Sequence, residues 1–132
     1  MLKVLSFPVT LEGRQTLFRF IWDGLVLGEL PYRSSLREEG AKSSKQRIRQ
    51  EARIQRKLVA ISKVATEQDE TRPKDARVLL DGDQSAQLEV EEIELIVKLM
   101  EHFPWGGGQV IGVADAFDFL ASAPDAPKEP SA

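Results

Sequence analysis

The segment from about residue 44 to residue 66 limits the possible folds more than any other part of the sequence. Placing its residues about 100° apart, as in an α-helix, groups most of its cations on one side. One apolar stripe consists of Ile54, Leu58, Ile61 and Ala65, and a second, separate one of Ile48, Ala52 and Val59. A helix that packs only on its own domain needs a single apolar stripe. The second stripe therefore predicts a further contact, either with a later helix or with a second chain.

Charge is divided unevenly along the 132 residues, although the net charge is only −3. Residues 33–63 carry ten basic and three acidic side chains, a net +7, whereas residues 64–132 carry five basic and fifteen acidic ones, a net −10. Blocks of opposite charge either face each other within one fold or face partners of opposite charge. The sequence leaves open whether the acidic C-terminal part of the chain covers the basic helix.

Composition is typical of a globular protein, since 42% of the residues are hydrophobic and 30% are charged. The chain has no cysteine, which excludes disulfides, cysteine-bound zinc, iron–sulfur clusters and a thiol nucleophile. A single histidine leaves no His-rich metal site. No stretch has the pattern of a signal peptide or the length of a transmembrane helix. We therefore expect a cytoplasmic protein that does not bind membranes.

Hydrophobic patterning predicts an α+β fold in which residues 1–121 form one domain. We expect residues 2–30 to form a three-stranded antiparallel β-meander. Its middle strand is predicted because apolar residues alternate along Thr16–Trp22, and the tight turn after it because Asp23-Gly24 is typical of a hairpin.

Helices dominate the prediction for the remainder of the chain, with one short hairpin between them. In chain order, the predicted elements are a polar loop over 33–42, the basic helix over 44–66, a flexible linker over 67–75, a hairpin of Arg77–Leu80 and Ala86–Val90, helices over 91–103 and 110–121, and a disordered tail over 122–132.

Oxygen-bearing side chains between residues 81 and 92 have the spacing of a calcium loop. The positions concerned are Asp81, Asp83, Ser85, Gln87 and Glu92. The first three would supply side-chain oxygens, the fourth a backbone carbonyl, and the last both carboxylate oxygens. Over these twelve residues the chain resembles the loop of an EF-hand. It departs from that pattern at Ala86, where the sharp turn requires glycine, and a hairpin turn is the competing interpretation.

No catalytic arrangement of side chains is recognisable, so we expect a non-enzymatic binding or adaptor protein without a cofactor. It would act through protein–protein contacts, with another protein or as a homodimer. Apolar residues would anchor the partner, while charge would set its orientation and its rate of association. The predicted partner-binding residues are Ile48, Ala52, Val59 and Trp105.

Two other functions remain open. The first is a nucleic-acid-binding regulator in which the basic helix neutralises phosphates. No aromatic residue lies on that helix to stack on bases, which argues against binding to single strands. The cations concerned are Lys45, Arg49, Arg53, Arg56, Lys57 and Lys63. The second is a divalent-cation-dependent protein that uses the acidic loop over 81–92.

Overall fold

The computed structural model describes residues 2–9, 12–38, 45–65 and 76–126. Within these residues, five α-helices accompany two antiparallel pairs of strands. The elements are β1 (Leu2–Phe7), α1 (Glu12–Leu27), α2 (Glu29–Glu38), α3 (Lys45–Ala60), β2 (Ser62–Val64), β3 (Arg77–Leu79), β4 (Gln84–Glu89), α4 (Val90–His102), a 3-10 turn (Gly107–Gln109) and α5 (Val110–Ala121). The predicted α+β class is confirmed.

β1 pairs with β4 along its whole length, with Leu2 opposite Glu89 and Phe7 opposite Gln84. Alternate residues of both strands point into the core, and Leu5 and Leu88 are fully buried there. The pair is thus a two-stranded platform that needs helices to cover its apolar face.

The other edge of β1 is occupied by residues that follow α5. The backbone N–H of Val4 donates to the carbonyl of Pro124 at 2.9 Å, and that of Ala126 donates to the carbonyl of Leu2 at 2.8 Å. Lys3 Nζ also reaches Asp125 Oδ1 at 2.6 Å. The first residues of the predicted tail therefore lie in a third strand position, whereas residues 127–132 fall outside the described residues.

The core lies where α1, α4 and α5 meet the β1–β4 pair. Phe18, Ile21, Trp22 and Leu25 of α1 are buried, and their spacing of three and four residues places them on one side of a helix. They pack in one cluster with Ile96, Leu99 and Met100 of α4. Among the described helices, none combines the length and apolarity needed to span a membrane.

Two glycines allow α1 to approach α4 very closely. A Cβ atom at Gly28, between α1 and α2, would overlap the carbonyl group of Leu99, and one at Gly24 would lie 2.5 Å from Met100 Cγ. The N–H of Gly28 donates to the carbonyl of Gly24 at 2.9 Å, which continues the helical turn into α2. The sequence analysis placed Gly24 in a hairpin turn. In the structure a glycine is needed there because α1 packs closely on α4.

The structure corrects the predicted meander after its first strand. Thr16–Trp22 lies within α1, and Leu25–Leu30 spans the end of α1 and the start of α2. α2 also occupies the first part of the loop predicted over 33–42. The aromatic residues do alternate, but burial follows the helical spacing instead, because α1 packs against α4, α5 and β3.

The three later helices were predicted correctly, although α3 ends at Ala60 because Ser62–Val64 pairs with β3. Strands were also predicted correctly near residues 77–79 and 84–89. They do not form the predicted hairpin with each other: β3 pairs with β2 and β4 pairs with β1. The predicted linker over 67–75 connects β2 to β3 and lies outside the described residues.

Candidate functional site

α3 is attached to the rest of the fold through one side. Ile54 and Leu58 are fully buried against β4 and α4, as the first apolar stripe predicts. Near its end, Lys57 Nζ donates to Glu92 Oε1 at 2.7 Å, which links α3 to the first turn of α4. The second apolar stripe is left on the other side of the helix.

This second stripe remains exposed. Ile48 is 52% exposed and Val59 is 41% exposed, with half-buried Ala52 between them. Single exposed apolar residues are ordinary on protein surfaces, whereas a row of them along one helix is typical of an interaction site. We call this surface the α3 outer face, which consists of Lys45, Ile48, Arg49, Ala52, Arg53, Arg56 and Val59.

The cations of the α3 outer face are also exposed. Lys45, Arg49, Arg53 and Arg56 point into solvent, and none forms an ion pair with a carboxylate of the described residues. Two other predicted anion-binding cations differ in their surroundings: Lys57 is bonded to Glu92, and Lys63 is exposed on β2. The acidic C-terminal part of the chain therefore neutralises a cation near the end of the basic helix, through Glu92, and the outer side of the helix has no ion-pair partner among the described residues.

Trp105 lies apart from this row of apolar side chains. Its ring packs edge-on against Phe20 of α1 and Phe103, with centroids 5.8 and 4.7 Å away, and its Nε1 donates to the carbonyl of Met100 at 2.8 Å. Trp105 therefore packs between α1 and the end of α4. It does not lie near α3, where the other three predicted partner-binding residues are.

The residues of the suggested calcium loop do not converge. Ser85 and Gln87 are exposed on the extended strand β4, which separates the start of the segment from its end. Asp83 accepts a hydrogen bond from the backbone N–H of Val9, while Asp81 is exposed in the preceding bend. Glu92 is buried and accepts from Lys57 and from the N–H of Glu89 at 2.8 Å. In the described part of the chain, no group of three or more His, Cys, Asp or Glu residues could hold a metal ion.

A partly buried cluster of charged side chains joins α2 to α3, and the sequence analysis did not predict it. Arg47 Nη2 lies 3.8 Å from Glu29 Oε1, and Arg47 Nε lies 3.9 Å from Glu51 Oε1. These separations are too long for hydrogen bonds. Burial raises the pKa of Glu51, and the neighbouring Glu29 adds to that rise, against the opposing effect of Arg47 and Arg33.

A second surface feature is a groove of about 530 Å³ between α4 and α5. Its floor is apolar and consists of Ile93, Val97, Phe117 and Ala121. Its rim carries three carboxylates and one cation: Glu94, Glu101, Asp118 and Lys98. We call this the α4–α5 groove. The sequence signal for it was the pair Glu94 and Glu101, which lie seven residues apart and hence on one side of the helix.

The two surfaces have opposite charge and a similar apolar content. The α3 outer face presents a row of apolar side chains beside four cations, and the α4–α5 groove presents an apolar floor beneath a rim of net negative charge. Both can take part in recognition of a helix by a groove, in which apolar side chains anchor and rim charges orient.

No protein-family model matches the chain, and neither curated proteins nor solved structures give a significant match.

Proposed function

We propose that this protein is a non-enzymatic binding protein whose α3 outer face contacts a protein partner. The observation that supports this most strongly is the half exposure of Ile48 and Val59 on a helix whose opposite side is fully buried. Removing apolar surface from water contributes about 25 cal/mol per Å², so a partner that covers this row gains binding free energy. The cations beside it would steer an acidic partner toward the surface.

The exposed cations also favour a second candidate, a nucleic-acid-binding regulator. Against it, Ile48 and Val59 lie beside the cations, and apolar side chains gain little from a phosphate backbone. Lys57 is also engaged by Glu92. The two candidates differ in their response to salt: binding to a duplex weakens steeply as salt rises, while apolar anchoring persists.

The test compares proteins captured from the native cell by tagged wild type, by Ile48→Asp/Val59→Asp and by Leu30→Asp. Leu30 is 59% exposed on α2, so the last variant alters exposed apolar surface elsewhere. We expect a partner that wild type and Leu30→Asp retain at raised salt and that the α3 variant loses, and an untagged copy of this chain counts as such a partner.

Equal capture by all three proteins would contradict the proposed function. Retention on duplex DNA with a steep salt dependence, which flattens in Arg49→Ala/Arg53→Ala/Arg56→Ala, would instead favour the nucleic-acid-binding regulator. Both experiments need only the folded full chain, whose helical content circular dichroism checks for each variant.

A further inference from the structure

We infer that the α3 outer face binds the α4–α5 groove of a second copy of this chain. The inference rests on the proposed function, which requires only that this face binds some protein. What it adds is the identity of the partner and the surface that receives the helix.

The chemistry of the two surfaces is complementary. The floor of the groove offers Val97 and Phe117, both half-buried, to an incoming apolar side chain such as Ile48. Glu94, Glu101 and Asp118 surround that floor, where they would meet the cations of the α3 outer face. An apolar centre inside a charged rim is the usual arrangement of a protein interface.

The spacing of the charges also agrees. Arg49 and Arg56 are seven residues apart on α3, and Glu94 and Glu101 are seven residues apart on α4. Seven residues of α-helix rise about 10.5 Å, so both pairs are separated by the same two turns. A helix lying along α4 in either direction can therefore bring both arginines to both glutamates at once.

A chain cannot place its own α3 in its own groove. Ile54 and Leu58 hold one side of α3 against β4 and α4, and Lys57 ties its end to Glu92. The α3 outer face consequently points away from the α4 of the same chain. If each copy supplies its α3 to the groove of the other, the two contacts are related by a two-fold axis and close into a dimer.

One rim residue opposes this docking. Lys98 lies between Glu94 and Glu101 and would face a cation of the incoming helix. We therefore expect Lys98→Glu to strengthen self-association severalfold, since it exchanges a repulsive contact for an attractive one. Lys98→Glu tests the contact through a gain of affinity rather than a loss. A reversible monomer–dimer equilibrium and an unchanged circular dichroism spectrum distinguish this gain from the aggregation of misfolded chains.

The main experiment measures self-association of the full chain by sedimentation over a range of concentrations. Wild type is expected to form dimers. Arg49→Glu/Arg56→Glu and Glu94→Lys/Glu101→Lys are each expected to weaken dimerisation about tenfold or more, because each places like charges opposite each other. The chain that combines all four substitutions is expected to return to within about threefold of wild type, because the pairs are restored in reverse.

A charge-matched control replaces exposed carboxylates that do not line the groove. Glu91→Lys/Asp115→Lys makes the same change in net charge as the groove variant, at exposed positions of α4 and α5 that do not line the groove. It is expected to leave the dissociation constant within about threefold of wild type, as exposed charges that do not line the groove contribute little.

Three outcomes would overturn the inference: a monomer at every concentration, failure of the combined substitutions to restore dimers, or an equal loss in the control. None of them decides the proposed function, which stands or fails on the α3-dependent capture of a partner from the cell. A monomer that still captures another protein through Ile48 and Val59 would retain the proposed function with a different partner. If the chain neither forms dimers nor captures a partner through the α3 outer face, both proposals are rejected.

Discussion

The close approach of α1 to α4 predicts that Gly28→Ala is strongly destabilising. The added Cβ would lie 2.7 Å from the carbonyl carbon of Leu99 and 2.5 Å from the carbonyl oxygen of Gly24, where ordinary contacts begin at 3.4 Å. Both neighbours are backbone atoms, so no side chain can rotate away. α4 must move from Gly28 by at least about 0.7 Å to relieve the overlap with Leu99, and the turn from Gly24 to Gly28 must change its backbone conformation. Such overpacking costs about 3 kcal/mol, the upper part of the usual range.

Urea unfolding followed by tryptophan fluorescence measures this cost, since Trp22 is buried in the core six residues before Gly28. With a slope of about 2 kcal/mol per M of urea, a loss of 3 kcal/mol lowers the midpoint by about 1.5 M. Gly13→Ala is the matched control, because no heavy atom lies within 4 Å of a Cβ at this exposed position in α1. We expect it to stabilise the fold by about 0.5 kcal/mol. A midpoint for Gly28→Ala within about 0.3 M of wild type would show that the two helices do not pack as closely as described.

Three further predictions concern buried charge and the acidic segment. The pKa of Glu51 is raised in the folded state, so as pH rises the carboxyl group of Glu51 ionises first in the unfolded chain. The free energy of unfolding therefore falls from pH 4.5 upward, until the carboxyl group also ionises in the folded protein. Glu51→Gln removes that fall, and its stability relative to wild type, from urea midpoints, should be greater at pH 7 than at pH 4. Glu92→Ala should lower the free energy of unfolding by about 2 kcal/mol in the same assay, since it removes the cap of α4 and leaves Lys57 unpaired. The control Glu91→Ala, at an exposed position, should lower it by less than about 0.5 kcal/mol. Calcium or magnesium should leave Tm unchanged because Asp81, Asp83 and Glu92 do not converge, and a rise in Tm with added calcium would contradict that geometry.

The hydrophobic pattern of the sequence correctly predicted the helices that bury one side against a neighbouring surface. α4 and α5 were found because their apolar residues recur at helical spacing and Pro104 follows the first of them. The same reasoning found α3 and its unmatched apolar stripe, which the structure leaves exposed. The residues that carry the proposed function were thus available from sequence, while the groove that would receive them depends on how α4 and α5 meet.

The failures occurred where two local patterns compete or where pairing is distant. In α1, Phe18, Phe20 and Trp22 alternate as in a strand, yet the buried residues also match a helix. Only the packing of α1 on α4, α5 and β3 decides between the two patterns. The strands flanking Asp81-Gly82 were recognised, but each pairs with a strand elsewhere in the chain. A turn sequence such as Asp81-Gly82 predicts that the chain reverses direction, but it does not predict which strands pair with each other.

The pairing of β1 with β4 has a consequence for synthesis on the ribosome. Leu2–Phe7 is synthesised well before Gln84–Glu89, the strand with which it pairs, so all the residues between them must be translated before the two can meet. Until then, Leu5 and Phe7 belong to an unpaired apolar edge, the kind of segment that nascent chains must keep from aggregating. A fragment of this sequence that lacks Gln84–Glu89 therefore leaves β1 without its partner strand and prone to aggregation, even if its helices are intact.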